Sequence, residues 1–322
     1  GCPFDCEFCD ITSLFGRATR TKKLGHLLAE LEVLYARGWR GAVFMVDDNF
    51  IGDRAKLKRE ILPVLIGWME QKQYPFYFYT EASLDLADDA ELMTLMTKAG
   101  FEEVFIGIET PHEEGLAEMG KAPNRNRNLL ASIKRIQNAG LQVHGGFIVG
   151  FDSAPPTIFE RQTRFIQESG IVTAMIGILV ALRGTRLYSR LDGEGRLLGT
   201  ASGNNTSVAL NFVPRMDREE LIAGYKRVLE TIYSPRNYYQ RVIALLREYR
   251  PLHPGKFHIQ PGYIGALFKS ILLLGVVGRE RLHFWKLFCW SLLTRPRLFP
   301  LAITYAVYGY HFRKVSESIN EG

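Results

Sequence analysis

Three of the four cysteines in this 322-residue chain stand within its first nine positions, GCPFDCEFC, as Cys2, Cys6 and Cys9. A Cys-x3-Cys-x2-Cys spacing can bring three thiolates to one metal centre. No fourth protein ligand is close in sequence: the next histidine is His26, and the remaining cysteine is Cys289. A closed zinc site uses four protein ligands, commonly as paired CxxC or CxxC/HxxxH sets. An iron–sulfur cluster held by three cysteines leaves one iron open to a small molecule. A degenerate zinc site, or a disulfide with a spare thiol, is the bland alternative, and spacing alone leaves both open.

Such a loop needs a scaffold, and residues 22–182 supply an alternating pattern. Apolar runs at 41–46, 74–80, 102–109, 141–151 and 171–181 read as strands. Between and before them, helical periodicity covers 23–39, 53–72, 88–99, 124–139 and 154–169. Strands alternating with helices of this length predict βαβ units and a parallel sheet, whose ligands gather on the loops after the strands. Polar residues recur at those positions: Asp47, Asp48 and Asn49, then Glu81 and Ser83, then Glu109 and Thr110. Any one of them is equally well explained as a helix cap or a satisfied strand end. Their recurrence at successive strand ends marks one ligand-bearing edge. His144, inside a strand run, reads as a hydrogen-bonded core residue rather than a base. Tyr77, Tyr79, Phe147 and Phe151 read mainly as core, and Cys289 as a buried apolar thiol.

Taken together, these segments resemble the radical SAM superfamily. Cys2, Cys6 and Cys9 are similar to its CxxxCxxC loop, with Phe8 at the aromatic position before the last cysteine. The resemblance implies an α/β fold, a partial (β/α)6 barrel, here lacking its first strand and thus a fragment cut just downstream of it. It also implies a [4Fe–4S] cluster on the triad, S-adenosylmethionine on the open iron, and reductive cleavage to a 5′-deoxyadenosyl radical. VDDN (46–49) occupies the place of the loop that receives the methionine amino group. Glu109 in GIET stands where the ribose is contacted, and Gly146, Ile148 and Gly150 of GGFIVGF resemble the segment against the adenine. ALRGTRLY (181–188) resembles the sixth-strand PGTxLY motif, with Arg183 where proline is usual. NFVPRMDREELIAGYKRVLETIY (211–233) resembles the extension of cobalamin-binding radical SAM proteins, including the hopanoid C-2 methylase group. Asp217 and Glu220 are a candidate capping box opening its helix. A cobalamin-dependent C-methyltransferase acting on a lipid-like substrate is therefore expected, with an electron donor such as flavodoxin or ferredoxin. No DxHxxG cobalamin loop occurs in the chain, so cobalamin is expected on a domain preceding these residues. A radical SAM oxidoreductase or cyclase without methyl transfer is the alternative, and a non-catalytic metal-binding, membrane-associated protein is the reading from another class.

The expected divisions are a barrel core at 1–190, a helical extension at 191–250 and a basic apolar tail at 251–322. The tail holds nine Lys and Arg against three Glu, which accounts for the whole formal net charge of +6. Its apolar runs fall short of the ~20 residues that span a bilayer. Edged by Lys and Arg and carrying Trp285 and Trp290, they suit either a membrane interface or a helical subdomain packed on the barrel. Nucleic acid is not expected, because the basic residues alternate with aliphatic runs. Clustered, unframed cysteines and the absence of a signal peptide in these residues lead to a cytoplasmic expectation, at the inner membrane face if the tail binds lipid.

Overall fold

Each of the five apolar runs becomes a strand: β1 (Ala42–Met45), β2 (Tyr77–Ala82), β3 (Phe101–Glu109), β4 (Gln142–Val149) and β5 (Ala174–Ile178). The computed structural model describes residues 1–201, 209–251 and 261–321. All pairings are parallel, and the strands lie side by side in chain order. Sequential parallel strands joined by helices wind into a curled half-barrel with helices on one face.

Side-chain alternation gives that sheet two unlike faces. The helix-side face carries Phe78, Val104, Ile106, Val143, Phe147, Val149 and Ile176, all buried. Phe147 and Phe151 are therefore core, as expected. The helices Ala90–Lys98, Leu129–Asn138 and Ile158–Ser169 cover this face with Met96, Ile133, Ile136 and Ile166, each fully buried. Asp89 and Asn128 cap two of them, accepting from Leu92 N and Ala131 N at 3.0 Å, each cap contributing about 1 kcal/mol. The opposite, lumen face carries Phe44, Tyr79, Glu103, Phe105, Gly107, His144, Gly146 and Met175. Phe44 and Met175 stay exposed there.

β2 starts three residues later than its apolar run predicts. Gln73 and Tyr74 both adopt positive φ, and Tyr74 N bonds back to Met69 O, so the chain is still leaving the preceding helix.

Beyond the sheet, the helices Arg218–Tyr233, Pro235–Glu248 and Phe299–Glu321 close the lower end of the half-barrel, where the strands begin. Asp217 accepts from Glu220 N at 2.9 Å, the predicted cap. Tyr233 OH donates to Ala174 O at 2.7 Å and accepts from Ala174 N at 3.2 Å, so a side chain continues the hydrogen bonding at the edge of β5. Tyr305 OH donates to the Gln142 side chain, and Gln142 Nε2 reaches Tyr249 OH at 3.4 Å. Gly309 lets the last helix lie against Tyr238: a Cβ there would come within 2.3 Å of the ring. No helix among the described residues is long and apolar enough to cross a membrane. Cys289, expected to be buried, is exposed instead. Its helix, Arg281–Thr294, turns Phe284, Leu287 and Ser291 inward, and position 289 falls on the other side.

Candidate cluster and cofactor site

The cysteine loop has no regular structure of its own and is held by its neighbours. Glu7 N donates to Met119 O at 2.8 Å, and Glu7 O accepts from Leu187 N at 3.0 Å. The Glu7 carboxylate takes Arg190 Nε at 2.9 Å, and Ser13 Oγ bonds Gly184 O at 2.8 Å. The loop is thus clamped between the turn at 119–121 and the start of the helix Arg186–Gly193, in the ALRGTRLY segment. Gly120 makes the approach possible: it has φ +63°, and a Cβ there would lie 3.3 Å from Asp5 O.

All three cysteines are unpaired and partly buried. Burial pushes the Cys6 thiol up to about 11, against the opposing pull of Lys121, and raises Cys9 in the same way. Metal coordination would reverse this by stabilising the thiolate. No three His, Cys, Asp or Glu side chains among the described residues close around a single ion. A cluster spreads its ligands more widely than one ion does, and three soft thiolates on one loop fit it. Cys6 and Cys9 also line a cavity of about 210 Å³ with Asp5, Thr12, Arg17 and Arg186.

Two strand ends bring further predicted residues together. Asn49, buried, points Nδ2 at Cys2 Sγ (4.0 Å) and bonds Ser83 Oγ at 3.1 Å, while its Oδ1 accepts from Ser83 N at 3.2 Å. An amide directed at a ligand sulfur is the kind of contact that tunes a cluster. Glu81 is raised by burial and by the nearby Asp48 carboxylate, so these two acids face one region. Asp47 stands at the same strand end, exposed.

Glu109 ends β3 in a left-handed conformation, φ +64°, where the register with β4 shifts. That twist folds its carboxylate back over Gly107, where a Cβ would sit 2.3 Å from Oε1. There it meets Lys121 Nζ at 2.6 Å, with both side chains largely buried. Burial alone would lower the lysine, but the Glu109 carboxylate and then Cys6 hold it charged, well above its ordinary range. The ammonium lies 5.9 Å from the Phe8 ring, and Asn124 pins this turn to β3 through Gly107 O and Ile108 O at 3.0 and 2.9 Å. Phe8 and Ile148 both pack against the buried cluster that includes Met119, Phe151 and Leu187, and Phe105 lies on Gly146, whose added Cβ would be 3.0 Å from the ring. Gly150 faces elsewhere, toward Leu221 and Leu179 on the helix side.

Sequence reasoning missed Lys121. It belongs to no motif and follows Glu109 by twelve residues across a turn, so only the fold joins them.

Residues 1–161 match the radical SAM superfamily, and residues 185–322 match a domain of unknown function, DUF4070. The chain belongs to the radical SAM superfamily. Among curated relatives, this radical SAM chain is 40% identical over 325 residues to an uncharacterized methyltransferase of Synechocystis, covering all of this chain and 60% of that protein. It is 35% identical over 294 residues to the hopanoid C-2 methylase of Rhodopseudomonas palustris, covering 89% of this chain and 54% of the relative. The chain thus spans a little over half the length of the curated relatives it matches. In fold it resembles the radical SAM methyltransferase TsrM from Kitasatospora setae, solved with cobalamin and a [4Fe–4S] cluster. That match has a TM-score of 0.62 and 14% identity, and covers 97% of this chain and 60% of that one.

Proposed function

We propose that these residues form the catalytic core of a cobalamin-dependent radical SAM methyltransferase acting on an unactivated carbon of a lipid-like molecule. The reading divides the chain into a barrel core at 1–190, a helical extension at 191–250 and the tail at 251–322. The observation that carries it is the Cys2–Cys6–Cys9 loop clamped beside the buried Lys121–Glu109 pair. The relatives named as methyltransferases favour methyl transfer over other radical SAM reactions.

In this reading Cys2, Cys6 and Cys9 hold a [4Fe–4S] cluster whose open iron binds S-adenosylmethionine. Bound there, the two supply one-electron cleavage of the sulfonium. The chain's own part is positioning and shielding. Asn49 directs an amide at Cys2, and Ser83 keeps Asn49 in place. Lys121 brings a fixed positive charge to the Cys6 side of the loop. Glu109 would contact the cofactor ribose, Asp47, Asp48 and Glu81 would receive the methionine amine, and Phe8, Gly146 and Ile148 would lie against the adenine. Phe44, Tyr79, Phe105 and Met175 line a mostly apolar lumen that limits water around a reactive intermediate. Cobalamin is assigned to a part of the protein outside these residues, and the electron to a flavodoxin- or ferredoxin-like carrier.

The tail supports a peripheral lipid contact. Phe268, Val277, Leu282 and Leu293 are each at least 69% exposed. Lys269, Arg279, Arg281 and Lys286 lie exposed among them and form no ion pair among the described residues. Apolar side chains rimmed by cations suit the interface of an anionic bilayer, which would place the protein at the inner membrane face. Sedimentation with phosphatidylglycerol vesicles should carry the wild type down and leave Leu282→Glu largely in solution. Equal pelleting of both would remove the lipid contact.

The deciding experiment is anaerobic iron–sulfide reconstitution of the full protein with cobalamin, a reductant and methyl-deuterated S-adenosylmethionine. The expected result is a [4Fe–4S] spectrum, lost in Cys6→Ala, together with deuterated methyl in the product. Cofactor cleavage without label transfer would assign a radical SAM oxidoreductase or cyclase instead. Cleavage that persists in Cys6→Ala would overturn the cluster assignment.

A further inference from the structure

The lumen has a polar floor that the cofactor chemistry does not use. Glu103 on β3 and His144 on β4 share the lumen face, since Glu103 pairs with Gln142 and Phe105 with His144 along the two strands. Glu103 Oε2 and His144 Nε2 are 3.6 Å apart, close enough to orient each other but longer than a normal hydrogen bond. His144 Nε2 is shielded from water and has no hydrogen-bond partner. The ring nevertheless keeps 19% of its side-chain surface accessible, and among the described residues no hydrogen bond is made by Nδ1. One nitrogen thus faces a carboxylate while the other is left open.

The surroundings are aromatic and nearly free of charge. Tyr79 pairs with Glu103 across β2 and stacks on Phe44, with ring centroids 4.7 Å apart. Tyr308 comes in from the last helix, 41% exposed, and lies near enough to Glu103 and Tyr79 to feel both. Burial alone pushes Glu103 up to about 7 and His144 down to about 4, with no lysine or arginine bearing on either. A neutral imidazole with a free nitrogen is a hydrogen-bond acceptor at ordinary pH. An anionic ligand would find no countercharge here.

From Glu103 to Glu109 is six residues along β3, roughly 20 Å at strand rise. Between those levels the lumen face offers Phe105, Gly107, Gly146 and Met175, with Glu81, the acid assigned above to the cofactor, beside Phe105. Apart from that acid, what passes from floor to rim meets mostly apolar surface.

We propose that His144, oriented by Glu103 as its Nε2–H tautomer, accepts through Nδ1 a hydrogen bond from a hydroxyl at one end of an elongated, otherwise apolar substrate, whose far end lies at the Lys121–Glu109 rim. This deepens the methyltransferase reading by naming the substrate's chemical class and its anchor. His144 is a binding residue here, and Glu103 a positioning residue acting through it.

The test compares two probes of equal chain length, dodecan-1-ol and its methyl ether, which lacks the donor. Binding of each to the cofactor-loaded full protein is measured by equilibrium dialysis. One hydrogen bond in this setting corresponds to about a five- to tenfold preference for the alcohol. That preference should vanish in His144→Phe and weaken in Glu103→Gln, while affinity for the ether stays unchanged. Nitrogen-15 NMR of the wild type should show the Nε2–H tautomer, a readout that needs no variant to fold. Equal binding of alcohol and ether, a preference that survives His144→Phe, or an Nδ1–H tautomer would each overturn the anchor. Neither readout uses methyl transfer, so failure of the anchor and failure of the proposed reaction are separately visible.

Discussion

At the rim of the half-barrel the buried charges come as a tight pair, Lys121 with Glu109 at 2.6 Å, whereas at its floor Glu103 and His144 stand 3.6 Å apart with no cation to balance them. The two ends also differ in who builds them. The rim is made by loops of the barrel itself, and the floor is completed by tyrosines from the C-terminal helices. A compensated pair gives a fixed dipole beside the cysteine loop. An uncompensated pair keeps the imidazole neutral and leaves it hydrogen-bonding capacity. The contrast shows that the ionic environment changes along one sheet face.

The contrast can be broken most severely at the rim. Lys121→Met leaves Glu109 buried without its partner and should cost about 3–5 kcal/mol in urea unfolding. Adding Glu109→Gln to that variant should recover a large part of the loss, because the orphaned charge is gone. If the two losses simply add, the pair is not coupled. At the floor, Tyr233→Phe leaves both Ala174 backbone groups without their side-chain partner and should cost about 2 kcal/mol, read in the same way.

A smaller effect should appear only as a pH dependence. Glu103 has its folded value raised from 4.5 to about 7, so its contribution is fully present below about pH 4.5 and is lost as pH rises through 7. Melting of the wild type minus Glu103→Gln, followed from pH 4.5 to 8, should therefore decline on the order of 2 kcal/mol. Glu102, raised to about 7 by burial and by Glu103, shifts the same way, and His144, lowered to about 4, loses its contribution as pH falls. Both remain in each protein, and Tyr308, which faces the pair, is raised by burial away from this range. A flat difference would mean that Glu103 is solvated. Smallest of all, Asp217→Ala removes the cap of the helix that carries Tyr233 and should cost about 1 kcal/mol.

The sheet was legible because parallel strands buried on the helix side leave apolar runs with turn residues at their ends, and all five runs became strands. The cysteine loop and the strand-end residues Asn49, Ser83 and Glu109 were legible from spacing and from position. Lys121 was not, because a buried lysine in a turn looks like a solvated one until its partner is known. His144 read as a hydrogen-bonded core residue, yet Nε2 has no bonding partner and the ring opens toward the lumen. Alternation assigns it to a face, but only the curl of the sheet makes that face a chamber. The exposed position of Cys289 failed for a related reason: in a run as apolar as FWKLFCWSLL, composition does not say which side of the helix packs.

The clamp on the cysteine loop has a temporal consequence. Glu7 is fastened to Leu187 and Arg190, which leave the ribosome some 180 residues later. At about 5–20 residues per second, roughly ten to forty seconds separate the synthesis of the three thiols from that of the segment that holds them. Through that interval Cys2, Cys6 and Cys9 lie on an unsupported strand of nascent chain, open to oxidation and to any thiophilic metal. In the proposed reading, iron delivered before residue 190 emerges would meet three thiols without a site, and cluster insertion would belong after the clamp has closed.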